Sequence, residues 1–260
     1  MTPPTPMPPL PEWLGLLSEA QLSLREQAIL ERELRIFDQA VSAKDGAKLS
    51  ASIEILTSLL VAPSTLVLRA ELLKTFVEES QDHLRRAFGW LNLAATHVDL
   101  AQYPEATFAL DNAKATFVPA NHSEGLASVL LSRANIHRVH AEGSEARVAY
   151  QEALAGTKSK TKKLRVLENW LGLELDEGRL GPARSLGEEW LSVAALDDFR
   201  SERLPAMLHD YGLIGRRFLL SGDRDSATSI AARCSEVAAR ASLDVWVVCA
   251  ELIAELDELK

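Results

Sequence analysis

"WLNLAATHVDLAQYPEATFALDNA", Trp90 to Ala113, decides how this chain folds. It reads as two helices with a short joint at 102–103, and its residues alternate in size at fixed intervals. Ala94, Ala106 and Ala113 are small, while Trp90, Leu93, Tyr103 and Leu110 are bulky. Antiparallel helices whose axes cross about 8 to 10 Å apart leave no room for a large side chain at the crossing. Small residues therefore mark the crossing, and bulky ones fill the wedges beside it.

The same spacing recurs along the chain. Ala106, Ala146, Ala183 and Ala227 follow one another at intervals of 40, 37 and 44 residues. Twelve residues before three of them stand Ala94, Ala134 and Gly215, and the third unit has Leu171 there with Gly172 beside it. Seven residues after them come Ala113, Ala153, Trp190 and Cys234.

Working outward, 3.6-residue periodicity predicts helices over 18–43, 47–61, 64–79, 81–101, 104–117, 123–141, 144–156, 160–177, 181–194, 201–220, 224–240 and 243–259. Ser18 with Gln21 has the form of a capping box, Pro104 and Pro182 suit first-turn positions, and Ser144, Asp223 and Ser242 stand where side-chain caps belong. No window demands a strand. Only five of the eleven prolines fall after residue 60, so long stretches lack a helix breaker. The short joints make helical hairpins the unit.

These residues resemble the tetratricopeptide repeat family. Its pattern of a large residue, Leu-Gly, a second large residue, then Gly, Tyr, Ala, Phe and Ala is matched by Trp90, Leu93, Ala94, Tyr103, Ala106, Leu110 and Ala113. "LSRANIHRVHAEGSEARVAYQEAL" supplies Ala134, Ala146, Tyr150 and Ala153. Looser matches are Gly178, Leu180 and Ala183, then Tyr211, Gly215, Phe218, Gly222 and Ala227. The units exceed the family's usual length, and Gly187 and Trp190 stand where Phe and Ala are expected. The resemblance implies an all-α, right-handed α-solenoid of antiparallel helical hairpins. Its expected divisions are a proline-rich flexible arm over 1–12, N-terminal helices over 13–87 that include a degenerate repeat, four repeats over 88–241, and a C-terminal capping helix over 242–260.

Composition narrows the function. The chain carries 28 basic and 37 acidic residues, a net charge of −9, with no basic segment, which argues against a nucleic-acid binder. "MTPPTPMPPLPE" lacks the charge and apolar run of a secretory signal, and no apolar stretch would span a bilayer, so a cytoplasmic location without membrane contact is expected. Cys234 and Cys249 lie in apolar helical patterns, which suits reduced, buried thiols. "GTKSKTKK", 156–163, lacks the glycine and lysine order of a phosphate loop. His137 and His140 share a helix without a third metal ligand, and the adjacent acidic pairs diverge on their helices. No cofactor, metal or catalytic group is expected, and the chain reads as a non-enzyme.

The family's first helices line a concave groove. Carried over, its contact positions include Phe88, Leu91, Leu131, Asn135, Arg138, Arg165 and Arg216, with Asn135 and Asn169 at positions where a relative would grip a terminal carboxylate. That grip is incomplete, because Leu131, His209 and Leu213 replace the expected basic residues. The expectation is a noncatalytic scaffold or adaptor that binds a protein or peptide, with apolar anchors near Leu91 and Leu131 and acidic groups near the arginines. The alternative is a regulatory sensor arm that binds a small peptide or effector and signals through superhelix curvature. The last helix is apolar on two sides. Trp246, Val248 and Leu252 either bury the second side in a homodimer or fold back over 224–240.

Overall fold

The structure, a computed structural model, describes residues 23–195, 204–241 and 252–256. It is all-α, with no strand among the described residues. The chain divides into two compact units, residues 1–136 and 137–260.

The first unit contains α1 (Leu24–Ala43), α2 (Gly46–Leu59), α3 (Leu66–Glu79), α4 (His83–Asp99), α5 (Tyr103–Phe117) and most of α6 (Ser123–Val139). A 3₁₀ turn over Pro63–Thr65 leads into α3. Its core joins Leu30, Leu34 and Phe37 of α1 to Leu56, Leu72, Leu73 and Phe76, and then to Leu93, Leu110 and Phe117. The second unit holds the end of α6, then α7 (Gly143–Gly156), α8 (Lys160–Asp176), α9 (Leu180–Ala195), α10 (Leu204–Leu220) and α11 (Arg224–Arg240), with a further helical stretch at 252–256. Its core runs from Leu167 and Leu171 through Trp190, Leu208 and Tyr211 to Ile230 and Val237.

The small residues sit where the size pattern requires. Ala94, Ala106, Ala113, Ala134, Ala146, Ala153, Ala183 and Ala227 are all 0% exposed. The third repeat departs from the pattern by moving volume. A Cβ at Gly187 would lie 2.5 Å from Cδ2 of Tyr211, so the Tyr211 ring fills the space expected for Phe, and Trp190 is fully enclosed seven residues after Ala183.

One turn geometry closes the hairpins. Lys44, Ala101, Ala141, Gly178 and Gly222 take left-handed backbones, with φ of 54°, 56°, 60°, 69° and 87°. In each, that residue's N–H donates to the carbonyl three residues back, and the next N–H donates to the carbonyl five back. Ala101 and Gln102 donate to Val98 and His97, and Gly178 and Arg179 to Leu175 and Glu174. These bonds satisfy carbonyls that a helix end would otherwise leave bare. The turn residue always stands five positions before the aligned buried residue: Leu49, Ala106, Ala146, Ala183 and Ala227. The α1/α2 pair thus shares the hairpin turn of the later repeats.

Helix starts agree with the predicted caps in part. Asp223 accepts from the Ser226 N–H, and Pro104 lies in the first turn of α5. Ser144 is not a cap. Helix α7 begins at Gly143, one residue earlier, after Glu142, which makes no side-chain cap bond. The capping box of α1 is formed by Ser23 and Glu26. Ser18, Gln21 and Ser242 lie outside the described residues.

Candidate docking surface

In the first unit a pocket of about 160 Å³ opens among α2, α3 and α4. Ile53, Leu73, Phe76 and Gly89 are its buried lining, and Glu54, Arg85, Phe88 and Asn92 form an exposed rim. Helices α3 and α4 come this close because position 89 has no side chain. A Cβ there would lie 2.7 Å from the Phe76 ring and 2.8 Å from Val77.

Asp82 fixes where α4 begins, accepting from the N–H groups of Leu84 and Arg85 at 2.9 and 3.0 Å. The Arg85 bond, the Leu84 bond and nearby cationic charge hold the Asp82 carboxyl below its ordinary value. With the start fixed, helical spacing brings Arg85, Phe88, Gly89 and Asn92 to one side. Phe88 is 41% exposed, although its ring meets Phe117 and His122 edge-on at 5.1 and 5.5 Å. Leu84, one turn earlier, is also exposed. Ser50 is 6% exposed, and among the described residues its Oγ has no hydrogen-bond partner. A buried hydroxyl in that state forfeits about 1 to 3 kcal/mol until something bonds it.

The volume is small against the roughly 300 to 1,000 Å³ of ordinary small-molecule sites. It suits one or two side chains. A second opening in the other unit, of about 380 Å³, lies along α11 and 252–256, between Arg224, Thr228, Ala231, Ser235, Ile253 and Leu256. Arg224 is the single charged group among these six.

The residues expected at the groove have separate fates. Leu91 is half-buried against the first unit's core. Leu131, expected as an anchor, is only 7% exposed and offers a partner little surface. Asn135 is half-buried. In the second unit Arg138 donates from Nε to Asp176 at 2.7 Å and from Nη1 to the Asn169 carbonyl at 3.4 Å. Gly172 makes space for it, since a Cβ there would lie 2.6 Å from that Nη1. Asn169 donates to the Arg165 carbonyl, and the Arg165 side chain is exposed. Arg216 donates to Glu255 at 2.6 and 3.0 Å. Arg138 and Arg216 are therefore held by carboxylates of their own chain. Leu252 is 1% exposed, and its Cδ2 lies 2.4 Å from where a Gly215 Cβ would stand, so it is enclosed within its own unit. Trp246 and Val248 lie outside the described residues.

Sequence reasoning missed the pocket, because α2 and α3 precede the clear repeats. It also missed a charged cluster in the second unit. Glu174, 1% exposed, accepts from Arg147 Nε and Trp170 Nε1, each at 2.9 Å, and pairs with Arg179 at 3.3 Å. Arg147 also bonds Glu177. Tyr150 stacks on Trp170 with centroids 6.3 Å apart, and burial pushes its hydroxyl up to about 12, against the pull of Arg138. A carboxylate with this many donors ties α7 to α8 and to the turn after it. The readable signal was an acidic residue, Glu174, set between Leu173 and Leu175.

His137 bonds Glu142 at 2.6 Å through Nδ1. Among the described residues no three His, Cys, Asp or Glu side chains are grouped to hold a metal ion. No described helix is long and apolar enough to cross a membrane.

No family profile and no curated relative matches the chain. Seventeen solved chains resemble it in structure. One is the crystal structure of BtubC (BKLC) from P. vanneervenii, with a TM-score of 0.65 and 16% identity, covering 81% of this chain and 91% of that one. At that identity the likeness is one of fold.

Proposed function

We propose that the protein is a noncatalytic docking scaffold in which the face around α2 and α4 takes up a segment of a partner protein. The observation that carries the reading is the exposed Phe88 beside a small apolar pocket with an unbonded Ser50 hydroxyl inside it. Apolar walls with a few placed donors are what a peptide side chain and its backbone need. Phe88 also lies at a groove position implied by the repeat resemblance. Among the described residues no base is bonded to Ser50 Oγ, so it offers a hydrogen bond instead of an activated nucleophile.

The anchors differ in part from those expected of the sequence. Phe88 and Leu84 take the place of Leu131, and Arg85, which pairs with the exposed Asp82 at 3.5 Å, lies at the pocket rim where Arg138 and Arg216 do not. Peptides selected from a displayed library on the intact chain should bind Phe88→Ala at least tenfold more weakly by fluorescence anisotropy, about 1.4 kcal/mol. Circular dichroism of that variant should match the parent. Equal binding by the two chains would remove the reading.

A further inference from the structure

We propose that the proline-rich segment 3–11 of this same chain occupies the pocket among α2, α3 and α4 and competes with an outside partner for it. The inference rests on the pocket's being a peptide seat and concerns how that seat is regulated. Six of the first eleven residues are proline, so this segment presents carbonyl acceptors and few N–H donors. The pocket offers the complement. The Ser50 hydroxyl is unbonded among the described residues and more than nine-tenths buried, Arg85 and Asn92 add donors at the rim, and Phe88 supplies an exposed aromatic face. Aromatic faces set beside hydrogen-bond donors are how extended proline segments are held.

Charge points the same way. Residues 1–22 contain Glu12 and Glu19 and no Lys or Arg, while the first turn of α4 carries His83, Arg85 and Arg86 against two nearby carboxylates, Asp82, which pairs with Arg85 at 3.5 Å, and Glu54 on the rim. Reach is sufficient. The chain enters the described structure at Ser23, and Ser52 of α2 donates to the Glu33 carbonyl, which places α1 beside the pocket's α2 wall. Ten helical residues from Ser23 to Glu33 span about 15 Å. The eleven residues between Pro11 and Ser23 can cover about 36 Å when extended.

A tethered segment acts at an effective concentration of about 1 mM, so one that binds with a Kd of about 0.1 mM should weaken a free competitor roughly tenfold. The test uses a fluorescein-labelled peptide of residues 1–14 and the full chain carrying Pro3→Ser, Pro4→Ser, Pro6→Ser, Pro8→Ser, Pro9→Ser and Pro11→Ser. The peptide should bind this variant roughly tenfold more tightly than the unaltered chain, with a ratio independent of chain concentration. Adding Phe88→Ala to the variant should abolish the binding. Equal affinity for the two chains, no binding to either, insensitivity to Phe88→Ala, or a ratio that changes with concentration would each overturn the proposal. If the peptide fails while library-selected ligands still depend on Phe88, competition by the arm is wrong and the docking face stands. If neither depends on Phe88, both fall.

Discussion

Left-handed alanines at 101 and 141 are single residues that stand against their own preference. An L side chain in that region costs about 1 to 2 kcal/mol, and glycine avoids the cost, as Gly178 and Gly222 do at the equivalent turns. Ala141→Gly should therefore stabilise the protein by about 0.5 to 1 kcal/mol, and Gly178→Ala should destabilise it by about 1 kcal/mol, in urea unfolding. The cap at Asp82 gives a pH test. Its folded carboxyl titrates below the ordinary 3.8 because the Arg85 N–H, above all, donates to the ionised form. That stability is complete above the unfolded value and is lost as pH falls through the folded one. Asp82→Asn retains a cap acceptor without the charge, so its melting temperature should fall less steeply than the parent's between about pH 4 and pH 2.

Between elements, buried charge decides more than exposed charge. Removing the buried Glu174 carboxylate takes the acceptor from the Trp170 N–H and one counter-charge from Arg147, which keeps Glu177, and from the half-exposed Arg179, so Glu174→Ala should cost about 1 to 3 kcal/mol in denaturant unfolding. Glu174→Gln, which keeps an acceptor for Trp170, should cost less. The helices themselves were legible because 3.6-residue periodicity and alanine spacing report burial directly, and each aligned alanine is enclosed. Ala101 and Ala141 were not legible as turns, since alanine otherwise signals helix. Periodicity assigns acidic residues to solvent, which hid Glu174. Leu131 misled because an apolar residue at an outward pattern position can equally be interior. Arg138 and Arg216 misled because their carboxylates lie 38 and 39 residues away.

On the scale of the whole molecule, two units with separate cores should report damage locally. Gly187→Ala would bring a Cβ to 2.5 Å from the Tyr211 ring, and something must shift. Hydrogen exchange should show lost protection in α9 and α10 while the amides of α1 to α3 keep theirs. Loss spread evenly along the chain would contradict this locality. Helical arrays behave this way because each hairpin is stabilised by its neighbours in sequence.

The tight turns have a further consequence for how the protein is made. Each joins helices that meet soon after both exist, and even Arg184 reaches Ser229 only 45 residues on. At about 5 to 20 residues per second, synthesis delivers a new hairpin every few seconds, far slower than local helix pairing. The nascent chain can therefore finish one hairpin before the ribosome releases the next, and little apolar surface waits for a distant mate.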